Sequence, residues 1–405
     1  MCIIKENRQK WVYTLIKSEL FSPELEKYII TMRRELHRYP EVGFDLPRTT
    51  AIIKRELAAM GIAYTEKYCQ SSIVADINPD CKDYTIAIRT DMDALPVEEK
   101  TGLAFSSENP GQMHACGHDC HMAVLLGTAK VLKSIEKELA CRVRLIFQPC
   151  EEGSNGGGKQ MTANGAVDDV DVIVALHVEP LLPTGHIGIC PGASMAARRF
   201  HTIEFLGKSS HAAFPQNGND ALAMAVKAYN DIQIMFARLN PMSNKICAIN
   251  YLHAGVAENV IPDYAKMQIS VRSFDLAEDE FIHEKICRCC ENAAAELGGT
   301  AKVEDNYEAY PVVNDPAVRR NMIAAVKSAL GEDHFDEMPQ KMSSEDFSFF
   351  LQKVPGCMMC LGIRNEEKGC TGQLHNSDLI PDEDALLCGC KTFVEFVLLS
   401  MNGIN

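Results

Sequence analysis

The densest chemistry in the chain is Cys116-Gly117-His118-Asp119-Cys120-His121, five potential metal ligands in six positions at the start of an apolar helix. Thiolate, imidazole and carboxylate donors on a rigid element are what a divalent-metal site requires. Residues two apart cannot share a helix face, so Cys116 and His118 must bind before the helix settles. A helix N-terminus also favours the thiolate form of a cysteine. The competing reading is a helix cap with buried cysteines. Gln148-Pro149-Cys150-Glu151-Glu152-Gly153 places two adjacent carboxylates after an apolar run. Neighbouring side chains on extended backbone point to opposite sides, so one carboxylate can bind metal while the other faces substrate as a base. A pair of solvated loop acids is the alternative. His177 ends an apolar run, and His375 sits in Gly372-Gln373-Leu374-His375-Asn376. Either alone reads more readily as a structural histidine. With Cys116, His118 and Glu152 they make five ligands, enough for two ions sharing one bridge, provided the fold gathers positions spread from 116 to 375.

Other spacings lead elsewhere. Gly153-Ser154-Asn155-Gly156-Gly157-Gly158-Lys159 fits a phosphate-binding loop, but Gln160 stands where Ser or Thr would hold magnesium, and two acids precede it. A nucleotide site is therefore not expected. Cys357-x-x-Cys360 has metal or redox spacing without a second pair, and its apolar flanks read as a buried strand. Cys287, Cys289 and Cys290 read as structural residues of a helix.

The elements that must position these residues follow from periodicity. Residues 8–38 read as helical with a break and restart at Ser22-Pro23. Apolar strands at Tyr84–Ile88, Val143–Phe147 and Val172–Leu176 alternate with a helix over Cys116–Leu132, which points to an α/β domain with a mainly parallel sheet. In such sheets chemistry gathers beyond the carboxyl ends of the strands, where Asp91, Glu151 and His177 fall. Near Pro191-Gly192 the pattern changes to strand (Phe200–Leu206), helix (Asp220–Leu239), two strands (Ile246–Ala254, Met267–Phe274), helix (Glu278–Leu297) and strand (Lys302–Glu304). This is an α+β unit inserted into the larger domain. From Tyr310 the first pattern returns, with a strand at Cys357–Gly362 and a closing helix at Glu383–Leu399. The expected division is residues 1–191 and 311–405 for the catalytic domain and 192–310 for the insert.

Composition limits the partners. The 405 residues are 46% apolar and 23% charged, ordinary for a globular chain. Forty basic against fifty-five acidic residues leave a net charge of −15, which disfavours nucleic acid and anionic membrane. No run approaches the roughly 18 apolar residues of a membrane helix. Seventeen cysteines, an odd number with no export signal at Met1–Asn7, are expected to be reduced thiols in a cytoplasmic protein.

In order along the chain, Arg34-x-x-His37-x-x-Pro40-Glu41, Asp91-Met92-Asp93-Ala94-Leu95-Pro96, Met113-His114-Ala115-Cys116-Gly117-His118-Asp119, Gln148-Pro149-Cys150-Glu151-Glu152-Gly153, His211-Ala212-Ala213-x-Pro215, Asn259-Val260-Ile261-Pro262, Ser344-Glu345-Asp346-Phe347 and Leu374-His375-Asn376 resemble the M20 metallopeptidases. The likeness runs from about Leu25 to Leu399. It is greatest to the amidohydrolase branch, which includes hippurate hydrolases, N-acyl-amino-acid deacylases and auxin-conjugate hydrolases. The resemblance implies a zinc-peptidase-like domain with an inserted ferredoxin-like lid and dimerisation domain, and a homodimer. It implies that Cys116 bridges two divalent ions (manganese or zinc, with cobalt and nickel acceptable), with His118, Glu152, His177 and His375 completing the ligands. Glu151 would be the general base and Asp93 would orient a ligand. Asp91-Met92-Asp93 replaces the His-x-Asp motif of other branches, with His118 compensating. His211, Asn259 and Arg272 would come from the insert. His211 would stabilise the oxyanion, serving the partner subunit's site, and Asn259 or Arg272 would hold the carboxylate of an N-acyl amino acid or dipeptide. Cys150, Gln216 and Arg198-Arg199 depart from the branch's usual pattern, in ways that bear on substrate rather than reaction.

Overall fold

A Ser-Pro step starts the first described helix. The Ser22 side chain accepts the Leu25 amide, and Pro23 occupies the first turn, where its missing N–H costs nothing. This helix, Pro23–Arg38, buries Leu25, Ile29, Met32 and Leu36 along one face. The computed structural model describes residues 20–404, so the part of the expected helix at 8–19 lies outside the described residues.

The chain divides into two units: residues up to 192 with 313–339 and from 349 on, and residues 193–312 with 340–348. The first is built on an eight-stranded sheet in the order Tyr64–Thr65, Ile73–Ile77, Arg142–Gln148, Thr85–Asp91, Val172–Pro183, Gly356–Arg364, Ile187–Ile189, Phe335–Glu337. Its four central strands, from Arg142–Gln148 to Gly356–Arg364, run parallel. Antiparallel neighbours flank them on both sides. Every residue of Thr85–Asp91 and Arg142–Gln148 is buried, as expected for central strands covered on both faces. The arginines among them are neutralised: Arg144 grips Asp76 at 2.9 and 3.0 Å and also pairs with Asp169. The helix His118–Ser134 is apolar almost all round, because it packs between the sheet and the helices Pro23–Arg38 and Ala385–Ser400.

One strand differs from the sequence expectation. His177 does not end its strand; Val172–Pro183 continues because Gly356–Arg364 pairs alongside, Cys360 opposite His177 and Leu361 opposite Val178.

The second unit is a four-stranded antiparallel sheet in the order Lys245–Ala254, Tyr264–Ser273, Arg198–Leu206, Thr300–Ala309. Helices Ala221–Phe236 and Leu276–Glu296, capped by Asp220 and Asp275, pack on one face through Met224, Ala228, Ile232, Ile282, Ile286 and Ala293. This strand order is that of a ferredoxin-like unit. Thr300–Ala309 exceeds the expected Lys302–Glu304 because Arg198–Leu206 pairs along its whole length. Residues 340–348, expected in the first domain, belong to the second unit. Ala196 N–H donates to the Lys341 and Ser343 carbonyls, and Arg272 donates to the Met342 carbonyl at 2.8 Å.

None of the described cysteines is in a disulfide, and among the described residues no helix is long and apolar enough to cross a membrane.

Gly117, before the helix His118–Ser134, has φ = 81°, and a Cβ there would lie 2.4 Å from Val178 Cγ2. Both the left-handed backbone and the strand behind it exclude a side chain. Gly117→Ala should lower stability by about 2–4 kcal/mol, read from urea unfolding midpoints.

Candidate metal centre and active site

Three loops and one strand of the first unit deliver the candidate ligands to one place. Gly117 turns the chain so that Cys116 precedes the helix and His118 opens it. His177 comes from the middle of the long central strand. His375, itself at φ = 63°, is anchored by its amide, which donates to the Ala115 carbonyl at 2.7 Å. Cys116, His118 and His177 have donor atoms all within 4.8 Å of one another, and so do Cys116, Glu152 and His375. The two triads share Cys116. A third group, His118, Glu151 and Glu152, puts the Glu151 carboxylate against the same cluster. All five proposed ligands and Glu151 therefore converge.

The histidines are aimed. His118 Nδ1 donates to the Asp93 carbonyl at 2.7 Å and His177 Nδ1 to the Val178 carbonyl at 2.7 Å, leaving both Nε2 lone pairs facing inward. A backbone partner on one ring nitrogen is how a metal-binding imidazole is oriented. His177 Nε2 lies 3.3 Å from Cys116 Sγ, and His118 Nε2 is buried with no partner. His375 Nε2 lies 3.2 Å from Glu152 Oε1.

The Glu151-Glu152 loop is not extended, contrary to the expectation from its sequence. Cys150 at φ = 52° bends it, and the buried Asp93 carboxylate receives both following amides, Glu151 N at 2.8 Å and Glu152 N at 3.1 Å. Asp93 thus sets the positions of both glutamates through its carboxylate and of His118 through its backbone carbonyl.

Electrostatics test the fit of a cation here. Burial, then the charges of Glu152, Glu151 and Asp91, push the Cys116 thiol well up. The expected helix-terminus effect is outweighed. Burial works against a charged His118, yet Asp91, Asp93 and Glu152 overcome it and hold this ring up to about 10. Burial would also raise Glu152, but His375 and His118 bring it down to about 2. An acid-rich, largely buried cluster with an unpartnered imidazole nitrogen and a soft sulfur is the donor set for a divalent transition metal, which would displace the His118 and Cys116 protons.

Several supporting residues had no assigned role in the sequence. Asp91 and His121 cluster with His118 too, but their atoms are committed: His121 Nδ1 meets Asp91 Oδ1 at 2.7 Å, His121 Nε2 accepts Val178 N–H at 2.9 Å, and Arg89 holds Asp91 Oδ2 at 2.8 Å. They are braces, not ligands. Asp119 lies 2.7 Å from Arg33 Nε and 2.8 Å from His37 Nδ1, tying the ligand helix to Pro23–Arg38. Burial would raise Asp119, but Arg33 and His37 hold it well below the usual carboxylate range. The four-residue spacing of Arg33 and His37 on one helix face was the available signal. Lys159 of the phosphate-loop lookalike lies over the Phe349 ring at 5.8 Å, in a helix of only seven residues, Gly157–Ala163.

In the second unit, His211 and Asn259 are brought together and Arg272 stands apart from them in the fold. Ser210–His211 pairs with Val260–Ile261, and Ala212 N–H donates to the Asn259 carbonyl at 2.9 Å. Ala213 N–H donates to His211 Nδ1 at 3.0 Å, so the neutral ring carries its proton on the exposed Nε2. Arg272 lies on the Tyr264–Ser273 strand.

Residues 87–399 match the peptidase family M20/M25/M40. The chain is 35% identical over 370 residues to thermostable carboxypeptidase 1 of Saccharolobus solfataricus, covering 90% of this chain and 93% of that one. It is 34% identical over 382 residues to the N-acetylcysteine deacetylase of Bacillus subtilis, covering 93% and 98%. The solved structure of the Bacillus subtilis YXEP protein, a dinuclear metal-binding peptidase from the M20 family, superposes with a TM-score of 0.82 at 31% identity, covering 95% of this chain and 100% of that one.

Asp93→Asn keeps the size but leaves one acceptor oxygen, so one of the two glutamate amides would face an amide donor. Metal affinity, measured by chelator competition, should fall about 10–100-fold.

Proposed function

Because the chain belongs to peptidase family M20/M25/M40, we propose that it hydrolyses the amide bond of N-acyl amino acids, releasing a carboxylate and a free amino acid. The observation that carries this reading is the pair of ligand triads sharing Cys116, with Glu151 against them. His118 and His177 with Cys116 would hold one ion, and Glu152 and His375 with Cys116 the other. Manganese or zinc suits this mixed nitrogen, oxygen and sulfur set. When bound, the ions polarise the amide carbonyl and make the attacking water acidic near neutral pH. Glu151 takes the water's proton and delivers it to the leaving nitrogen. His211, with its proton on Nε2, donates to the developing oxyanion. Arg272 or Asn259 holds the free carboxylate, Arg through paired donors. We assign the second unit as a lid through which two copies dimerise, with His211 serving the partner's site, in a cytoplasmic enzyme.

The likeness to a carboxypeptidase favours a second reading. A C-terminal peptide and an N-acyl amino acid share the same acyl–NH–CHR–carboxylate unit, so one site can serve both. Hydrolysis of acetyl-, benzoyl- and dipeptide substrates separates the two by their kcat/KM values.

Glu151→Gln should abolish turnover with metal content intact, since Gln keeps the shape but accepts no proton; normal turnover would remove Glu151 from the mechanism. Cys116→Ala should instead lose metal by elemental analysis. His211→Ala should lower kcat about a hundred- to a thousandfold with metals retained. Mixing His211→Ala with Glu151→Gln protein should restore activity through one intact site per mixed dimer, and no recovery despite confirmed subunit exchange would exclude action across subunits.

A further inference from the structure

Two consecutive arginines of the second unit meet opposite fates. Arg199 points to the helix-covered face of the sheet, where it pairs with Asp279 at 3.0 Å, Glu280 at 2.9 Å and Asp305 at 2.7 Å. Arg198, one residue earlier, projects from the other face. The register of its strand, with Arg199 opposite Val271, sets Arg198 directly across from Arg272. Arg198 makes no hydrogen bond or ion pair with any described residue, and its Nε is shielded from solvent without a partner. Arg272 has only neutral partners, the Met342 carbonyl at 2.8 Å and the Ser344 hydroxyl at 3.5 Å. Glu345, next in the chain, is turned back onto the Phe347 amide at 3.0 Å. Burial, and then the charge of Arg198, lower the pKa of Arg272, and no carboxylate raises it.

Like charges directly across a strand pair are destabilising, and partly buried guanidiniums without counter-charge more so. The next rung on the same face pairs Phe200 with Ser270, and there an open groove of about 370 Å³ begins, lined by Phe200, Thr202, Tyr251, Gln268 and Ser270. Nothing acidic lines it. The arrangement leaves two adjacent positive charges to be neutralised by whatever binds.

We propose that Arg198 and Arg272 form a paired guanidinium site for a dianion, so that the favoured substrates are N-acyl derivatives of dicarboxylic amino acids. This rests on the hydrolase reading above and takes Arg272, of the two candidates Arg272 and Asn259, as the group that holds the carboxylate common to every N-acyl amino acid. A substrate with that carboxylate alone leaves Arg198 desolvated and unpaired. A second carboxylate gives each guanidinium a forked partner. Arg198 is then the residue that sets specificity, and it takes no part in the chemistry.

The test compares N-acetylglutamate with N-acetylglutamine, which differ in charge and not in size, on the metal-loaded enzyme. Wild type should prefer the glutamate substrate about ten- to a hundredfold in kcat/KM, the usual worth of a charge-assisted hydrogen bond. Arg198→Gln should bring that ratio to about one, and Arg198→Lys should retain part of it. Arg198→Asp, which gives Arg272 an internal counter-charge, should lose the preference while keeping the thermal midpoint at or above wild type. An unchanged ratio in Arg198→Gln and Arg198→Asp overturns the proposal. If neither substrate is hydrolysed, the hydrolase reading fails, and the dianion site is decided separately by calorimetry. Glutarate should bind wild type more tightly than its monoamide, and Arg198→Gln should bind both alike; equal binding by wild type overturns the site.

Discussion

The site depends on one buried carboxylate, that of Asp93. Its two oxygens take the amides of Glu151 and Glu152, and its carbonyl takes the Nδ1–H of His118. The carboxylate, 1% exposed, thereby fixes two amides of one loop, and the backbone carbonyl of the same residue fixes His118 from another. Charge-assisted bonds to backbone amides are short and strong, and inside a dry pocket they are stiffer than side-chain contacts. Without them the two glutamate amides would lose the anchor they share.

Around that anchor the first unit compensates charge layer by layer. Asp91 is spanned by Arg89 and His121, and Asp119 by Arg33 and His37. His121 ties its helix to the strand end at Asp91, and Asp119 ties the same helix to Pro23–Arg38, so the candidate cluster is braced at a strand end and at the first turn of a buried helix. The Glu151 and Glu152 carboxylates gather beside the buried Cys116 thiol. That acidic cluster lies against a buried His118 Nε2 with no partner, the donor set a divalent cation would complete. The second unit solves the same problem on one face only: Arg199 is surrounded by carboxylates beneath the helices, whereas Arg198 and Arg272 on the open face are not.

The candidate ligands were legible in the sequence, because metal chemistry restricts residue type, and Cys, His and Glu clustered at element ends are rare outside such sites. The sequence also determined the alternation of strands and helices, since a central parallel strand must be apolar throughout and the insert's strands and helices carry their own periods. The Ser22-Pro23 start marks the helix Pro23–Arg38, and the expected starts at Asp220 and Glu278 lie within two residues of those observed. Pairing across long separations was set by the three-dimensional fold. The strand through His177 extends because Gly356–Arg364 lies beside it, residues 340–348 join the second unit through hydrogen bonds to Ser194, Ala196 and Arg272, and Asp93 reaches the glutamate amides across 58 positions. None of these has a local signature, because hydrogen bonds to backbone place no demand on the type of the residue that supplies the backbone. The same holds for Arg198 and Arg199. Adjacent in sequence and alike in chemistry, they are separated in role by the pleat of a strand, which sends one to three carboxylates and the other to a second arginine.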